Sequence, residues 1–218
     1  MPNTLNLAER LISPATGLDA NIWVPLLRLL ARGQPVELDS LAAATGKTAP
    51  EVIRALASVP DTEYDDAGRI IGQGLTLQPT PHHIEIDGAP LYTWCALDTL
   101  IFPAVLGTSA RIESACQATG VPVQLTVDTA GVASVVPGTA VVSLVDPDDM
   151  SAVRSSFCNE VHFFASSDEA QPWLEAHPGG SVIPVAEAFT FGLGIAQNML
   201  VEADTAGDSS PPADASCC

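Results

Sequence analysis

The sequence predicts an α+β fold, with a winged-helix-like unit followed by a mixed α/β core whose small antiparallel or mixed sheets are flanked by helices. Three observations predict it. Residues 19–59 show helical apolar periodicity cut by glycine stops, in the order helix, short helix, turn, helix, and strand-like segments follow at once. Beyond residue 90, strands and helices mix without the strict alternation of a doubly wound sheet. Apolar residues make up 47% of the chain and charged residues 16%, so a core can be buried and wholesale disorder is excluded.

The elements are justified in order. Asp19 is placed to cap a helix carrying Ile22, Trp23, Leu26, Leu27, Leu29 and Leu30, which Gly33 ends. Residues 37–45 form a short helix with Leu38, Leu41 and Ala42 inside, stopped by Gly46. Thr48, followed by Pro50 and Glu51, reads as an N-cap and first turn for a helix bearing Val52, Ile53, Leu56 and Ala57. Residues 62–71 and 75–86 read as the strands of a wing, with Asp65-Asp66-Ala67-Gly68 as their turn. Residues 1–85 thus make the winged-helix-like unit. Residues 86–202 make the core. It holds a strongly apolar 91–106, strands at 121–127, 139–145, 161–165 and 182–185, and helices at 148–157 and 167–177. A final helix, 185–200, is expected to be broken at Gly192 and Gly194. Residues 203–218 read as a flexible acidic tail ending in Cys217-Cys218.

The charge narrows the function classes. Eight basic residues face 26 acidic ones, a net charge of −18. Such a surface repels phosphate backbones. The helix that would enter a DNA groove offers only Lys47 and Arg54, with Glu51 opposing them, so no nucleic-acid partner is expected. No apolar run approaches the ~20 residues of a bilayer span, and the N-terminus lacks a basic stretch leading into an apolar one. A soluble, cytoplasmic protein is expected. Its five cysteines are then reduced thiols rather than a disulfide framework.

The densest chemical clue is Tyr92-Thr93-Trp94-Cys95-Ala96-Leu97-Asp98-Thr99-Leu100-Ile101-Phe102-Pro103. A helix there would set Cys95 and Asp98 on one face. Among apolar neighbours the carboxyl would be driven toward its neutral form, apt for taking up and returning a proton. Read alone, Cys95 equally fits core filler and Asp98 a local cap. The second clue is Ser156-Phe157-Cys158-Asn159-Glu160-Val161-His162-Phe163-Phe164, which puts Cys158 at a helix-to-strand junction facing a pocket. Close Cys pairs of the structural zinc type are absent from the interior. A winged-helix regulator sensing a thiophilic metal shares the paired cysteines but needs a basic DNA face.

These two motifs, with Thr62-Glu63-Tyr64-Asp65 and Gly72-Gln73-Gly74-Leu75-Thr76-Leu77, resemble organomercurial lyase, also called alkylmercury lyase, over roughly residues 5–200. The resemblance implies cleavage of the carbon–mercury bond of R–Hg⁺ to R–H and Hg²⁺. It implies Cys95, Cys158 and Asp98 as the catalytic trio and as the groups holding product Hg²⁺. No cofactor is implied. External low-molecular-weight thiols release the metal, and mercuric reductase accepts it. Asn159 stands where some members carry an extra cysteine, and Cys116 matches a cysteine that is structural in relatives. The chemistry suits the residue types, because a soft cation selects thiolates and a thiol of pKa ~8.5 gains from a nearby base. Cys95 is expected to bind first and Cys158 to give the first proton. Trp94, Phe157 and Phe163 are candidates for the apolar wall. Cys217 and Cys218, outside the resemblance, form a candidate relay that takes Hg²⁺ onward.

Overall fold

The structure, a computed structural model, describes residues 4–207. It opens with α1 (Thr4–Leu11), α2 (Ala20–Leu30), α3 (Leu38–Thr45) and α4 (Ala49–Ala57). Asp19 caps α2 by accepting the Asn21 N–H at 2.9 Å. At the start of α4 the Glu51 carboxylate accepts the Thr48 N–H at 2.8 Å and its hydroxyl at 2.6 Å, so two groups at an otherwise unsatisfied helix start are paired. One face of this unit is apolar and buried: Leu26, Leu27, Leu30, Leu41 and Val52 are fully enclosed.

Next come β1 (Glu63–Tyr64), β2 (Ile70–Gln73), β3 (Leu75–Thr76), β4 (His82–Ile86) and β5 (Ala89–Thr93). The Asp65 turn lies within the predicted first wing strand and folds it into the β1–β2 hairpin. Asp65 accepts the N–H groups of Ala67 and Arg69, and Gly68 takes the positive φ the turn requires. The predicted strand 75–86 is likewise two strands, separated by the stretch holding Pro79 and Pro81, which cannot donate to a ladder. After α5 (Asp98–Leu106) come β6 (Ala110–Ala115), β7 (Pro122–Val127), β8 (Val132–Val136) and β9 (Val141–Leu144). Then follow α6 (Val153–Ser156), β10 (Phe163–Phe164), α7 (Gln171–Ala176), β11 (Ser181–Pro184) and α8 (Val185–Gly207).

Every named strand pair is antiparallel. One sheet has eight strands in the order β1-β2-β3-β5-β4-β6-β7-β8; the other has three, β10-β9-β11. The larger sheet runs from the wing into the core without interruption, and the α+β class holds. Three expectations fail in instructive ways. The strongly apolar 91–106, conditionally a helix, is the end of strand β5, a turn, and then α5. The helix expected at 148–157 is only α6, because Asp149 turns back on the Ser151 N–H at 2.8 Å and uses the chain's start for a local loop. α8 is continuous through Gly192 and Gly194. Gly192 is where α8 meets α5: a Cβ there would fall 2.9 Å from Ile101 Cγ1, so the glycine serves close packing rather than a break.

Candidate functional site

Cys95 sits in the turn between β5 and α5. Three hydrogen bonds fix that turn. Trp94 donates its N–H to Gly74 O at 2.8 Å, Ala96 donates to Val161 O at 3.1 Å, and the Thr93 hydroxyl donates to Cys95 O at 2.8 Å. Asp98, the first residue of α5, reaches back and accepts the Cys95 N–H at 3.2 Å. The three-residue spacing therefore brings the two groups together through a tight turn, not through a shared helix face.

Cys158 arrives from the other side. It begins a single 3-10 turn after α6, and the chain beyond it is pinned by Ser143. That buried hydroxyl donates to Glu160 O at 2.9 Å and accepts the His162 N–H at 2.8 Å. The Ala96–Val161 bond joins the two cysteine-bearing segments directly. As a result one ligand atom each of Cys95, Asp98 and Cys158 lies within 4.8 Å of the others.

The setting is dry. Cys95 and Cys158 are buried, at 1% and 4% exposure. Asp98 and Cys158 line an apolar cavity of about 60 Å³. Its wall includes Trp94 and Phe157, as expected, but Phe163 lies elsewhere, packed edge-on to His82. Cys95 is not part of this wall. The sequence reading missed Leu11, Trp23 and Asp61 from the N-terminal unit and Met199 from α8, all on this wall. They lie far from both motifs along the chain; Leu11, Trp23 and Met199 are apolar residues at helical spacing, which carry no mark distinguishing a cavity wall from a core, and Asp61 is one acidic loop residue among many.

Burial governs the electrostatics. It lifts the Asp98 carboxyl to about 7, even though hydrogen bonds from the Cys95 side chain and backbone pull it down. Burial, the bond to Cys158 and the Asp98 charge push the Cys95 thiol well above its ordinary value. The bond from Cys95 lowers Cys158, but burial and Asp98 outweigh it and the net direction is up. The surroundings thus favour neutral groups. Two sulfurs and one carboxyl in this arrangement suit a soft, thiophilic cation and leave a proton-carrying group beside it.

Cys116 takes no part. Its sulfur accepts the Ala165 N–H at 3.3 Å and faces Glu169, a structural position. Cys217 and Cys218 lie outside the described residues. Among the described residues no helix is long and apolar enough to cross a membrane.

Comparison with known proteins gives the same picture throughout. The family profile described as alkylmercury lyase matches residues 75–197, and the helix-turn-helix domain of alkylmercury lyase matches residues 4–74. An alkylmercury lyase of Streptomyces lividans is 54% identical over 197 residues, covering 90% of this chain and 87% of that protein. One from Bacillus cereus is 51% identical with the same coverage, and one from Pseudomonas putida is 48% identical over 185 residues, 85% of this chain and 87% of that protein. Among solved structures, the mercury-bound form of MerB2 matches with a TM-score of 0.70 at 27% identity, covering 91% of this chain and 100% of that one.

Proposed function

The chain belongs to the alkylmercury lyase family, and from that premise we propose that Cys95, Cys158 and Asp98 carry its reaction. The enzyme cleaves the carbon–mercury bond of an organomercurial by protonolysis. The observation that carries the residue assignment is the convergence of two sulfurs and a carboxyl within 4.8 Å on an apolar cavity.

The steps balance as follows. Substrate R–Hg–X enters the cavity, whose wall includes Cys158 but not Cys95. This favours Cys158 for first attack, against the sequence expectation for Cys95. The Cys158 sulfur bonds mercury, and its proton leaves with X as HX. Cys95, hydrogen-bonded to Asp98, passes its proton to that carboxylate and bonds mercury in turn. With two thiolates on the metal the Hg–C electron pair is pushed toward carbon. Asp98 delivers the proton there, giving R–H and Hg²⁺ held by both sulfurs. A carboxyl lifted to about 7 is matched to taking and giving one proton near neutrality. The apolar wall binds R and keeps water away from the developing charge.

Two external thiols then exchange for the two protein sulfurs, releasing mercury as a bis-thiolate and restoring both cysteine protons. No cofactor enters this scheme. A mercuric reductase suits the role of final acceptor, and Cys217-Cys218 suits that of a tethered relay toward it. Among the described residues Cys95, Cys116 and Cys158 are free thiols, which fits a reducing cytoplasm. The acidic surface leaves nucleic acid out of the scheme.

The test is release of methane or benzene from methyl- or phenylmercury with excess small thiol, comparing the wild type with Cys95→Ser, Cys158→Ser and Asp98→Asn. Loss of turnover in all three, each still folded, is expected. Full activity of either serine variant ends the two-sulfur mechanism.

A further inference from the structure

Two of the motifs in the wing, Thr62-Glu63-Tyr64-Asp65 and Gly72-Gln73-Gly74-Leu75-Thr76-Leu77, contain no residue assigned a part in the chemistry above. The structure brings them together. Glu63 on β1 pairs with Gly72 on β2, and Gly72 pairs with Thr76 on β3, so the three stand in one row across the sheet. The middle position carries no side chain. A Cβ at Gly72 would fall 2.0 Å from Glu63 Oε2 and 2.6 Å from Thr76 Oγ1. The bare lane over Gly72 lets the Glu63 carboxylate cross β2 and accept the Thr76 hydroxyl.

Its other oxygen leaves the sheet. Glu63 Oε1 accepts Arg154 Nη1 at 2.5 Å. The side chains are only 15% and 31% exposed, so this pair is largely shielded from the screening that makes surface ion pairs weak. Arg154 lies in α6, one turn before Cys158. The Phe157 N–H closes that turn on Val153 O at 2.9 Å. The same guanidinium lies over the Trp94 ring, 4.8 Å from its centroid, and Trp94 directly precedes Cys95. One cation therefore touches the wing, the segment of the first cysteine and the segment of the second.

We infer that Glu63 is a positioning residue for Cys158, acting through Arg154, and that the Glu63–Gly72–Thr76 row is the seat holding that arginine in place. The wing of the winged-helix unit sets the distance between the two mercury-binding sulfurs. This rests on the assignment of Cys158 as a mercury ligand.

The experiment compares Glu63→Gln, Thr76→Val, Arg154→Met and Arg154→Lys with wild type and with Cys158→Ser. Circular dichroism checks the folded fraction. Turnover of phenylmercury acetate is measured with excess small thiol, and the sulfur-to-mercury charge-transfer absorbance with one equivalent of mercuric chloride. Glu63→Gln is nearly isosteric and is expected to lower kcat by about 10- to 100-fold, the usual cost of losing a group that orients a metal ligand. KM should change less than kcat, since none of the apolar residues that bind R is replaced. The two-thiolate absorbance should weaken in parallel. Arg154→Met should match or exceed that loss, and Arg154→Lys should recover only part of it, because an ammonium lacks the planar fork and stacking face. Should Glu63→Gln fail to fold, Thr76→Val tests the same link with a milder loss. Wild-type kcat and absorbance in folded Glu63→Gln and Thr76→Val, with Cys158→Ser inactive, overturn this inference alone. A fully active Cys158→Ser overturns the ligand assignment and the inference with it.

Discussion

Replacing Asp98 by Asn in the metal-free protein should make it more stable at mildly alkaline pH, and the gain should vanish in acid. Burial raises the Asp98 carboxyl to about 7, against about 3.9 for a free aspartate. The native state therefore holds a proton that the unfolded chain has lost between about pH 4 and pH 7, and wild-type stability falls as pH rises through that window. A rise of about three at about 1.4 kcal/mol each is about 4 kcal/mol, an upper figure because Asp98 is only half-buried and solvent screens part of it. Asparagine carries no charge to desolvate. Its side-chain oxygen can still accept the Cys95 N–H, but a weaker bond costs about 1 kcal/mol. The stability difference between variant and wild type should thus be near zero or slightly negative at about pH 4. It should climb to about 2–3 kcal/mol in favour of the variant by about pH 8. Urea denaturation of both proteins across this range measures it, and taking the difference cancels the other acidic groups. A difference that stays flat from acid to alkali would show that the carboxyl is not held neutral by its surroundings and would remove the argument for its proton-carrying role.

Cys95→Ser and Cys158→Ser should each lower turnover on the order of 10³-fold or more, as loss of an essential nucleophile does, while gas-phase detection of methane or benzene still registers wild-type product. Gly74 has φ of +84° and its Cβ position lies 2.9 Å from Phe102 Cζ, so Gly74→Ala should lose about 2–5 kcal/mol from backbone strain and overpacking, read as a lowered urea midpoint. A chain ending at Gly207 should keep full single-turnover cleavage but hand Hg²⁺ to an added dithiol acceptor about tenfold more slowly, since the tethered thiol pair is gone; an unchanged transfer rate removes the relay.

How far the sequence could be read depended on how local the governing physics was. Asp19, Thr48, Glu51 and Gly46 mark helix ends because a capping group and the backbone it satisfies are neighbours in the chain, and those ends fell where the sequence placed them. Cys95, Asp98 and Cys158 stood out because their residue types sit in dense motifs. Their meeting by a turn was not legible, since a spacing of three serves a helix and a turn alike. β6 alternates buried and exposed positions perfectly, yet the sequence reading assigns it no element, because Ser114 on its inner face and Arg111 and Glu113 outside break the apolar signal. The continuity of α8 was hidden for another reason. Each internal glycine costs a helix about 1 kcal/mol, and only the long-range fit of Gly192 against Ile101 shows what offsets it. The seat of Arg154 combines a wing glycine, a wing carboxylate and a residue some ninety positions later, and no window along the chain contains it.

On the proposed assignment of Cys95, Cys158 and Asp98, the burial that makes the site reactive toward mercury is the same burial that makes it inert otherwise. Thiols pushed above their ordinary values are poor nucleophiles toward ordinary electrophiles, because the thiolate is scarce. A soft cation changes the balance. It brings positive charge into the cavity, so forming two thiolates there no longer leaves an uncompensated charge in an apolar medium. The protons displaced by the metal are then available where they are needed. One leaves with the substrate's former ligand, and the other rests on a carboxyl whose affinity for it, at about 7, is matched to the surroundings. An exposed dithiol would bind mercury as well, but it would have no neutral acid held beside the carbon and no dry wall to keep the proton from water. On that assignment, cleavage, as distinct from capture, follows from enclosing Asp98 with the two sulfurs, and the enclosure, to which Trp23, Leu11 and Met199 contribute from elements that contain neither cysteine, is what would turn a pair of metal-binding thiols into a lyase.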